Sequence, residues 1–113
     1  MGREREMIYV AGKYTAPTPE GVQANIDKAI RKGVELTREG YAPIVPHANT
    51  TGWERVDPAL TWRDFMRVDL VHVRKADKVY MLNNWEDSAG ARIEERYARL
   101  LGKPIIYEVP KEK

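Results

Sequence analysis

The stretch Lys78-Val79-Tyr80-Met81-Leu82 decides the fold class of this chain. It is a nearly continuous apolar run of strand length, and a helical pattern over roughly Ser88 to Leu101 follows it. Unbroken apolar runs are typical of strands buried on both faces of a parallel sheet, whereas strands with one wet face alternate. The stretch therefore indicates a parallel strand that leads into a crossover helix.

The same order of strand and helix is found along the rest of the chain. The further strand-like runs are Met7-Ile8-Tyr9-Val10-Ala11, Tyr41-Ala42-Pro43-Ile44-Val45 and Pro104-Ile105-Ile106-Tyr107-Glu108-Val109, and the further helical patterns span Glu20 to Glu39 and roughly Ala59 to Lys75. Gly40 and Gly102 follow the first and last helical patterns, as C-terminal caps do. This alternation requires parallel pairing through right-handed crossovers. We predict an α/β fold, a small flavodoxin-like or Rossmann-like three-layer sandwich on a parallel sheet of four (or five) strands.

Length and composition exclude several classes of protein. The 113 residues allow one domain, residues 1–113, with one core. A net charge of +2 is too balanced to predict a nucleic-acid partner, and the absence of Cys removes thiolate chemistry. His47 and His72 have no metal-ligand spacing, so no metal is expected. Without a signal peptide or a membrane-length apolar run, we expect a cytoplasmic protein with no membrane partner.

The loops after the strands are where chemistry is expected. In a parallel sheet the carboxyl ends of the strands share one edge, and ligands bind there at the point where strand order reverses. The segments at that edge are Gly12 to Pro19, Pro46 to Pro58 and Asn83 to Ser88.

Glu94 is out of place in the last helical pattern. At 100° per residue an apolar arc is formed by Ala89, Ile93, Tyr97, Ala98, Leu100 and Leu101, and a solvent-facing arc by Arg92, Glu95, Arg96 and Arg99. Glu95 and Arg99 have the spacing of an ordinary surface ion pair. Glu94 falls inside the apolar arc, and Gly90 and Ala91, one turn earlier, leave space beside its carboxylate.

Asp69 repeats this anomaly in the middle helical pattern. The predicted buried side of that helix is formed by Trp62, Phe65, Met66, Val68, Leu70 and Val73, and Asp69 lies among them. A buried carboxylate without a partner is costly, so one interpretation is that each acid bonds to backbone amides or an arginine. The other is that Asp69 and Glu94 form a pair of the kind that breaks glycosidic bonds.

The start of the last helix also has two interpretations. Ser88 can cap the helix, and the small residues that follow, Gly90 among them, allow a ligand to approach free backbone N–H groups. Gly12 similarly permits close backbone approach after the first strand. Neither a dinucleotide fingerprint nor a P-loop is present.

These features together resemble the nucleoside 2-deoxyribosyltransferase superfamily, including its 2′-deoxynucleoside 5′-phosphate N-hydrolases and short bacterial and phage members. The first matching motif is Ile8-Tyr9-Val10-Ala11-Gly12, and the second is Asp69-Leu70 followed by Ala76-Asp77. The third is Ser88-x-Gly90-x-x-x-Glu94 with Ala98 and Gly102-Lys103-Pro104. The resemblance extends from Ile8 to Tyr107.

The resemblance implies a role for each matching residue. Glu94 stands at the position of the nucleophile that forms a glycosyl ester, Asp69 at that of a second carboxylate, and Tyr9 near the nucleophile. The residues that match positions lining the sugar or its 5′ substituent are Gly12, Tyr14, Thr15, Ser88 and Gly90. Ser88, in place of the acid found in enzymes of free nucleosides, favours a 5′-monophosphate.

Two loop residues are further candidates. His47 could contact a base, or could be a loop histidine bonded to backbone. Trp85 could stack on a base, or could be a lid over the helix start.

We therefore expect an enzyme that cleaves or transfers at the N-glycosidic bond of a 2′-deoxynucleoside or its 5′-monophosphate. We expect no cofactor. We also expect the protein to form a homodimer or a higher homo-oligomer. The alternatives are a non-catalytic nucleotide-binding module with the same pocket, and a generic α/β domain whose acids are capped or paired.

Overall fold

Four parallel strands and five α-helices make up the computed structural model, which describes residues 4–109. The strands are β1 (Met7–Ala11), β2 (Ala42–Ile44), β3 (Lys78–Met81) and β4 (Ile105–Tyr107). The helices are α1 (Pro19–Arg38), α2 (Pro46–Asn49), α3 (Trp53–Val56), α4 (Trp62–Lys75) and α5 (Ala89–Leu100), and a 3₁₀ turn spans Trp85–Asp87. In this part of the chain no helix combines the length and the hydrophobicity that crossing a bilayer demands.

The sheet order is β2-β1-β3-β4, and every pairing is parallel. Tyr9 of β1 lies opposite Ile44 on one side and Val79 on the other. The chain builds outward from β1 to β2 and then crosses back to β3, so strand order reverses between β1 and β3. The loops at the carboxyl ends of these two central strands are therefore the expected ligand site.

Alternate residues of β1 face two different layers. Tyr9 and Ala11 belong to a buried cluster with Val73 of α4 and Ala98 of α5. Ile8 and Val10 belong to a second cluster that contains the α1 residues Ala29 and Leu36. One face of the sheet is thus covered by α1 and the other by α4 and α5, which confirms the predicted three-layer α/β sandwich with four strands.

The helix ends follow the local sequence. Thr61 caps α4 and forms a reciprocal capping box with Asp64, so the helix begins at Trp62 rather than near Ala59. Gly40 and Gly102 adopt positive φ angles of 102° and 72° after α1 and α5, as their capping role predicts. The segment from Pro46 to Pro58, predicted as a loop, contains the one-turn helices α2 and α3.

The face of α5 that packs against the sheet is rotated about the helix axis from the predicted apolar arc, so that prediction was wrong. Ile93, Leu100 and Leu101 are 41%, 77% and 41% exposed, and Glu95, predicted on the solvent face, is buried. Small side chains explain the rotation, because Ala91 and Ala98 let α5 lie close against the sheet. Trp62, predicted in the core, is 57% exposed because it lies in the first turn of α4.

Candidate active site

A cavity of about 500 Å³ opens at the carboxyl edge of the sheet. This is a size that holds a small molecule. Its walls are formed by Gly12, Tyr14 and Thr15 after β1, by Pro46, His47, Thr50 and Glu54 from the α2–α3 segment, by Trp62, Phe65, Met66 and Asp69 of α4, and by Ser88, Ala89, Gly90, Ala91 and Glu94 at the start of α5. The structure therefore brings together most of the site residues predicted from the sequence.

Glu94 lies in the cavity wall with one carboxylate oxygen held and the other open. The residue is 5% exposed, and the hydroxyl of Tyr9 donates a hydrogen bond to its Oε2 at 2.8 Å. Tyr9 is itself fully buried beneath the cavity. Oε1 makes no hydrogen bond within residues 4–109. The hydrogen bond from Tyr9 therefore orients the carboxylate and leaves Oε1 free to contact a ligand.

Asp69 is the second acid of the cavity. It is half-buried, and its Oδ1 is inaccessible to solvent and has no hydrogen-bond partner among the described residues. Burial raises the pKa of Asp69 to about 6. Within residues 4–109 the interpretation that this acid is satisfied by an arginine or backbone amides is therefore wrong, and its charge is balanced by neither.

The two acids influence each other. Burial is the main cause that raises the pKa of Glu94 to about 8, and the charge of Asp69 is the second. The hydrogen bond from Tyr9 acts in the opposite direction and lowers this pKa. Burial and the nearby carboxylates raise the pKa of Tyr9 well above its usual value, so its hydroxyl stays a donor. Between about pH 6 and pH 8 the pair therefore holds one proton and one negative charge.

The loop after β1 is shaped by a close approach to β3. A Cβ on Gly12 would lie 2.5 Å from Cδ1 of Leu82, so only glycine fits there. The side chain of Asn84 accepts a hydrogen bond from the Lys13 N–H at 3.0 Å, and Asn25 donates to the carbonyls of Tyr14 and Thr15. Asn84 and Asn25 were missed by sequence reasoning, because a loop asparagine carries no signal of what it will bond.

His47 lies in the cavity wall and is bonded to backbone. Its Nε2–H donates to the carbonyl oxygen of Lys13 at 2.9 Å, and its ring centroid is 5.9 Å from that of Tyr14. Burial lowers the pKa of His47, which keeps the ring neutral at pH 7. Both predicted features of His47, the backbone bond and the place at the ligand edge, are present together.

The start of α5 is held by its own cap. Ser88 is the N-cap, and its Oγ accepts a hydrogen bond from the Ala91 N–H at 3.1 Å. A Cβ on Gly90 would lie 3.2 Å from the sulfur of Met66, so this glycine lets α4 and α5 approach each other. That approach brings Asp69 and Glu94 to one cavity.

Trp85 is the candidate that the structure does not bring to the cavity. Its ring packs 5.9 Å from that of Tyr107, against the cluster beneath α5. Trp85 begins the 3₁₀ turn that precedes the helix cap Ser88, and it is not among the residues that line the cavity. In turn, Glu54 and the exposed Trp62 line the cavity without having been predicted as site residues.

The fold and the site define a parallel α/β protein whose cavity, at the switch point of the sheet, holds two acids that form no ion pair with the described residues. The chain belongs to the family described as a domain of unknown function (DUF4406), whose model matches residues 6–107. No curated protein sequence matches it.

A solved structure shares the fold. The chain is similar to a 2-deoxyribosyltransferase from the psychrotolerant bacterium Bacillus psychrosaccharolyticus, with 24% sequence identity and a TM-score of 0.64. The match covers 93% of this chain and 77% of that one.

Proposed function

We propose that the protein cleaves or transfers at the N-glycosidic bond of a 2′-deoxynucleoside or its 5′-monophosphate through a glycosyl ester on Glu94. The observation that carries the proposal is the oriented carboxylate of Glu94, held at Oε2 by Tyr9 and open at Oε1, in one cavity with Asp69. The motif resemblance and the shared fold of a 2-deoxyribosyltransferase support the same reaction class.

In the first step Oε1 of Glu94 attacks C1′ of the sugar. The C1′–N bond breaks, its electron pair goes to the base nitrogen, and the departing base takes up a proton. The products are a free base and a glycosyl ester on Glu94. Tyr9 keeps the carboxylate facing C1′ and, as a neutral donor, shares the charge on the other oxygen.

The single proton of the acid pair suits this step. One acid must be ionised to attack, and the other must carry the proton that the base receives. In the empty cavity Glu94 is the more basic acid and holds the proton near pH 7. Positive charge that develops on the sugar favours the ionised form of Glu94, which moves the proton to Asp69 and on to the base.

In the second step an acceptor attacks C1′ and the ester bond breaks, which restores the Glu94 carboxylate. Water as the acceptor gives hydrolysis, and a nitrogen of a second base gives transfer. The open cavity has room for either acceptor once the first base has left.

The test is to incubate the protein with each of the four 2′-deoxynucleosides and their 5′-monophosphates, with and without a second free base. Chromatography then follows base release and the appearance of a new nucleoside. We expect release with the wild-type protein and none with Glu94→Ala. Turnover that survives Glu94→Ala contradicts the glycosyl ester. Binding without turnover in the wild-type protein identifies a nucleotide-binding module instead.

A further inference from the structure

The cavity wall carries three acidic side chains. Besides Glu94 and Asp69 at its base, the exposed Glu54 of α3 lines it from the α2–α3 segment. Glu54 forms no hydrogen bond or ion pair with the residues that the structure describes. The carboxyl group of Glu54 therefore faces any ligand that enters the cavity.

Positive charge is absent from the same wall. Across the described ranges of the chain, no lysine or arginine is among the residues that line the cavity. Lys13 lies between Gly12 and Tyr14, which line the cavity, but Lys13 itself does not line it. Its backbone N–H donates a hydrogen bond to Asn84, and its carbonyl oxygen accepts one from His47. The ring of His47 is neutral, because burial lowers its pKa.

Two backbone donors near the start of α5 are already bonded, whereas the N–H groups of Ala89 and Gly90, which line the cavity, have no partner among the described residues. The Ala91 N–H is already bonded to the side chain of Ser88, and Arg92 donates its backbone N–H to the Ser88 carbonyl. The helix dipole that remains is a partial charge, opposed by up to three nearby carboxyl groups.

We propose that Glu54 is a specificity-determining residue that favours uncharged substrates in the cavity, so that a nucleoside with a free 5′-hydroxyl is preferred over its 5′-monophosphate. The proposal rests on the proposed function for the identity of the ligand. A hydroxyl can donate a hydrogen bond to a carboxylate, whereas a phosphate dianion can only be repelled by it.

The effect has a characteristic size and salt dependence. Glu54 lies at the exposed part of the wall, so its repulsion of a dianion is moderated by water and weakened by salt. We expect its charge to contribute about a tenfold preference for the nucleoside over its 5′-monophosphate at low ionic strength. That preference falls as salt is added.

The experiment compares the wild-type protein with Glu54→Gln and Glu54→Lys. Glu39→Gln is the matched control, because it removes the same charge from an exposed glutamate at the C-cap of α1, at the opposite edge of the sheet. For each protein, kcat/KM is measured for a 2′-deoxynucleoside and its 5′-monophosphate at low and high salt. Dissociation constants of both ligands are measured in parallel by tryptophan fluorescence, to which Trp62 in the cavity wall contributes.

The expected result is a nucleoside preference that falls about tenfold in Glu54→Gln, falls further in Glu54→Lys, and is unchanged in Glu39→Gln. A wild-type preference for the monophosphate, or a ratio that neither Glu54 variant changes, overturns the role of Glu54. If no base is released but the dissociation constants show this pattern, the proposed catalysis fails and the role of Glu54 stands. If neither ligand binds any variant, both proposals are overturned.

Discussion

Two adjacent glutamates of α5 are both buried, yet their surroundings differ. Glu94 receives a hydrogen bond from Tyr9 and faces the cavity near a second acid. Glu95 receives one from Tyr107 of β4 and also pairs with Arg99, whose Nε lies 2.9 Å from its Oε2. Each acid thus accepts a hydrogen bond from a tyrosine, and within residues 4–109 only Glu95 is also paired with an arginine.

The arginine separates a structural acid from a reactive one. A carboxyl group that bonds to both a guanidinium and a hydroxyl fixes the elements that supply these partners. Glu95 in this way ties α5 to β4. No cation balances Glu94 in the described part of the chain. Burial, and after it the charge of Asp69, raise its pKa to about 8, so in the empty cavity it holds the proton of the acid pair near pH 7.

Activity is where the two glutamates should differ most. We expect Glu94→Gln to lower kcat/KM for base release by about 10³-fold or more, because an amide is a poor nucleophile. Glu95→Gln should retain activity within a few-fold. Chromatographic assays of both variants measure the difference. Equal losses in the two variants would mean that Glu94 acts through the fold rather than on the substrate.

Although Glu94→Gln should lower activity, it should raise the stability of the fold, and the size of this gain should depend on pH. The pKa of Glu94 is about 8 in the folded state against an ordinary 4.5, so above pH 4.5 the folded protein keeps a proton that the unfolded chain has lost. Stability from this group is therefore lost as pH rises from about 4.5 to 8. Glu94→Gln removes this loss and should raise the free energy of unfolding by a few kcal/mol more at about pH 8 than at about pH 5.

Urea denaturation at the two pH values measures this second effect, with Glu95→Gln as the control. That control should show no gain at the higher pH, because it loses an ion pair. A gain for Glu94→Gln that is the same at both pH values would show that the Glu94 carboxyl is not held protonated by burial.

The two tyrosines provide a smaller contrast. The proposed mechanism predicts a bell-shaped pH profile of kcat/KM with limbs near 6 and 8. Tyr9→Phe removes a hydrogen bond that lowers the pKa of Glu94, so the alkaline limb should move to higher pH and the maximum should fall about tenfold. Tyr107→Phe should leave both limbs in place. A profile unmoved by Tyr9→Phe would separate Tyr9 from the reacting carboxylate.

The smallest effect is expected for the stability of the Glu95 cluster. Tyr107→Phe removes one hydrogen bond but leaves the pair of Glu95 with Arg99 intact, so it should lower the free energy of unfolding by about 1 kcal/mol. Thermal or urea denaturation measures this loss. A variant as stable as the wild-type protein would mean that Arg99 alone satisfies Glu95.

The contrast also shows how far sequence reasoning reaches. Strands and helices were predicted because the alternation of apolar runs is a local signal. The apolar arc that drew attention to Glu94 was wrong in its direction, but Glu94 is buried because it lies on the side of that arc nearest to Ala91 and Ala98. The burial of Glu95 could not be predicted, because its partner Tyr107 comes from a strand that follows the helix. The exposure of Ile93 and Leu100 depends on how closely the small residues of α5 approach the sheet.

The site was predicted where its residues follow a rule of backbone geometry. Gly12 is of this kind because the backbone passes close to Leu82 there, and Ser88 is of this kind because it caps α5. Glu54 lies in the one-turn helix α3 and Asn84 in a loop, and both elements are too short for a periodic pattern to indicate the direction of a side chain. Trp85 was a candidate to stack on a base or to cover the helix start because of its place at the sheet edge, and in the structure its ring packs against that of Tyr107.

The most direct measurement is the mass of the protein during turnover. Wild-type protein mixed with a 2′-deoxynucleoside and quenched with acid should carry one 2-deoxyribosyl group, and peptide mapping should place it on Glu94. Glu95→Gln should carry the same group, and Glu94→Gln none. An unmodified protein that nevertheless releases base, or a sugar attached to any other residue, would contradict a glycosyl ester on Glu94.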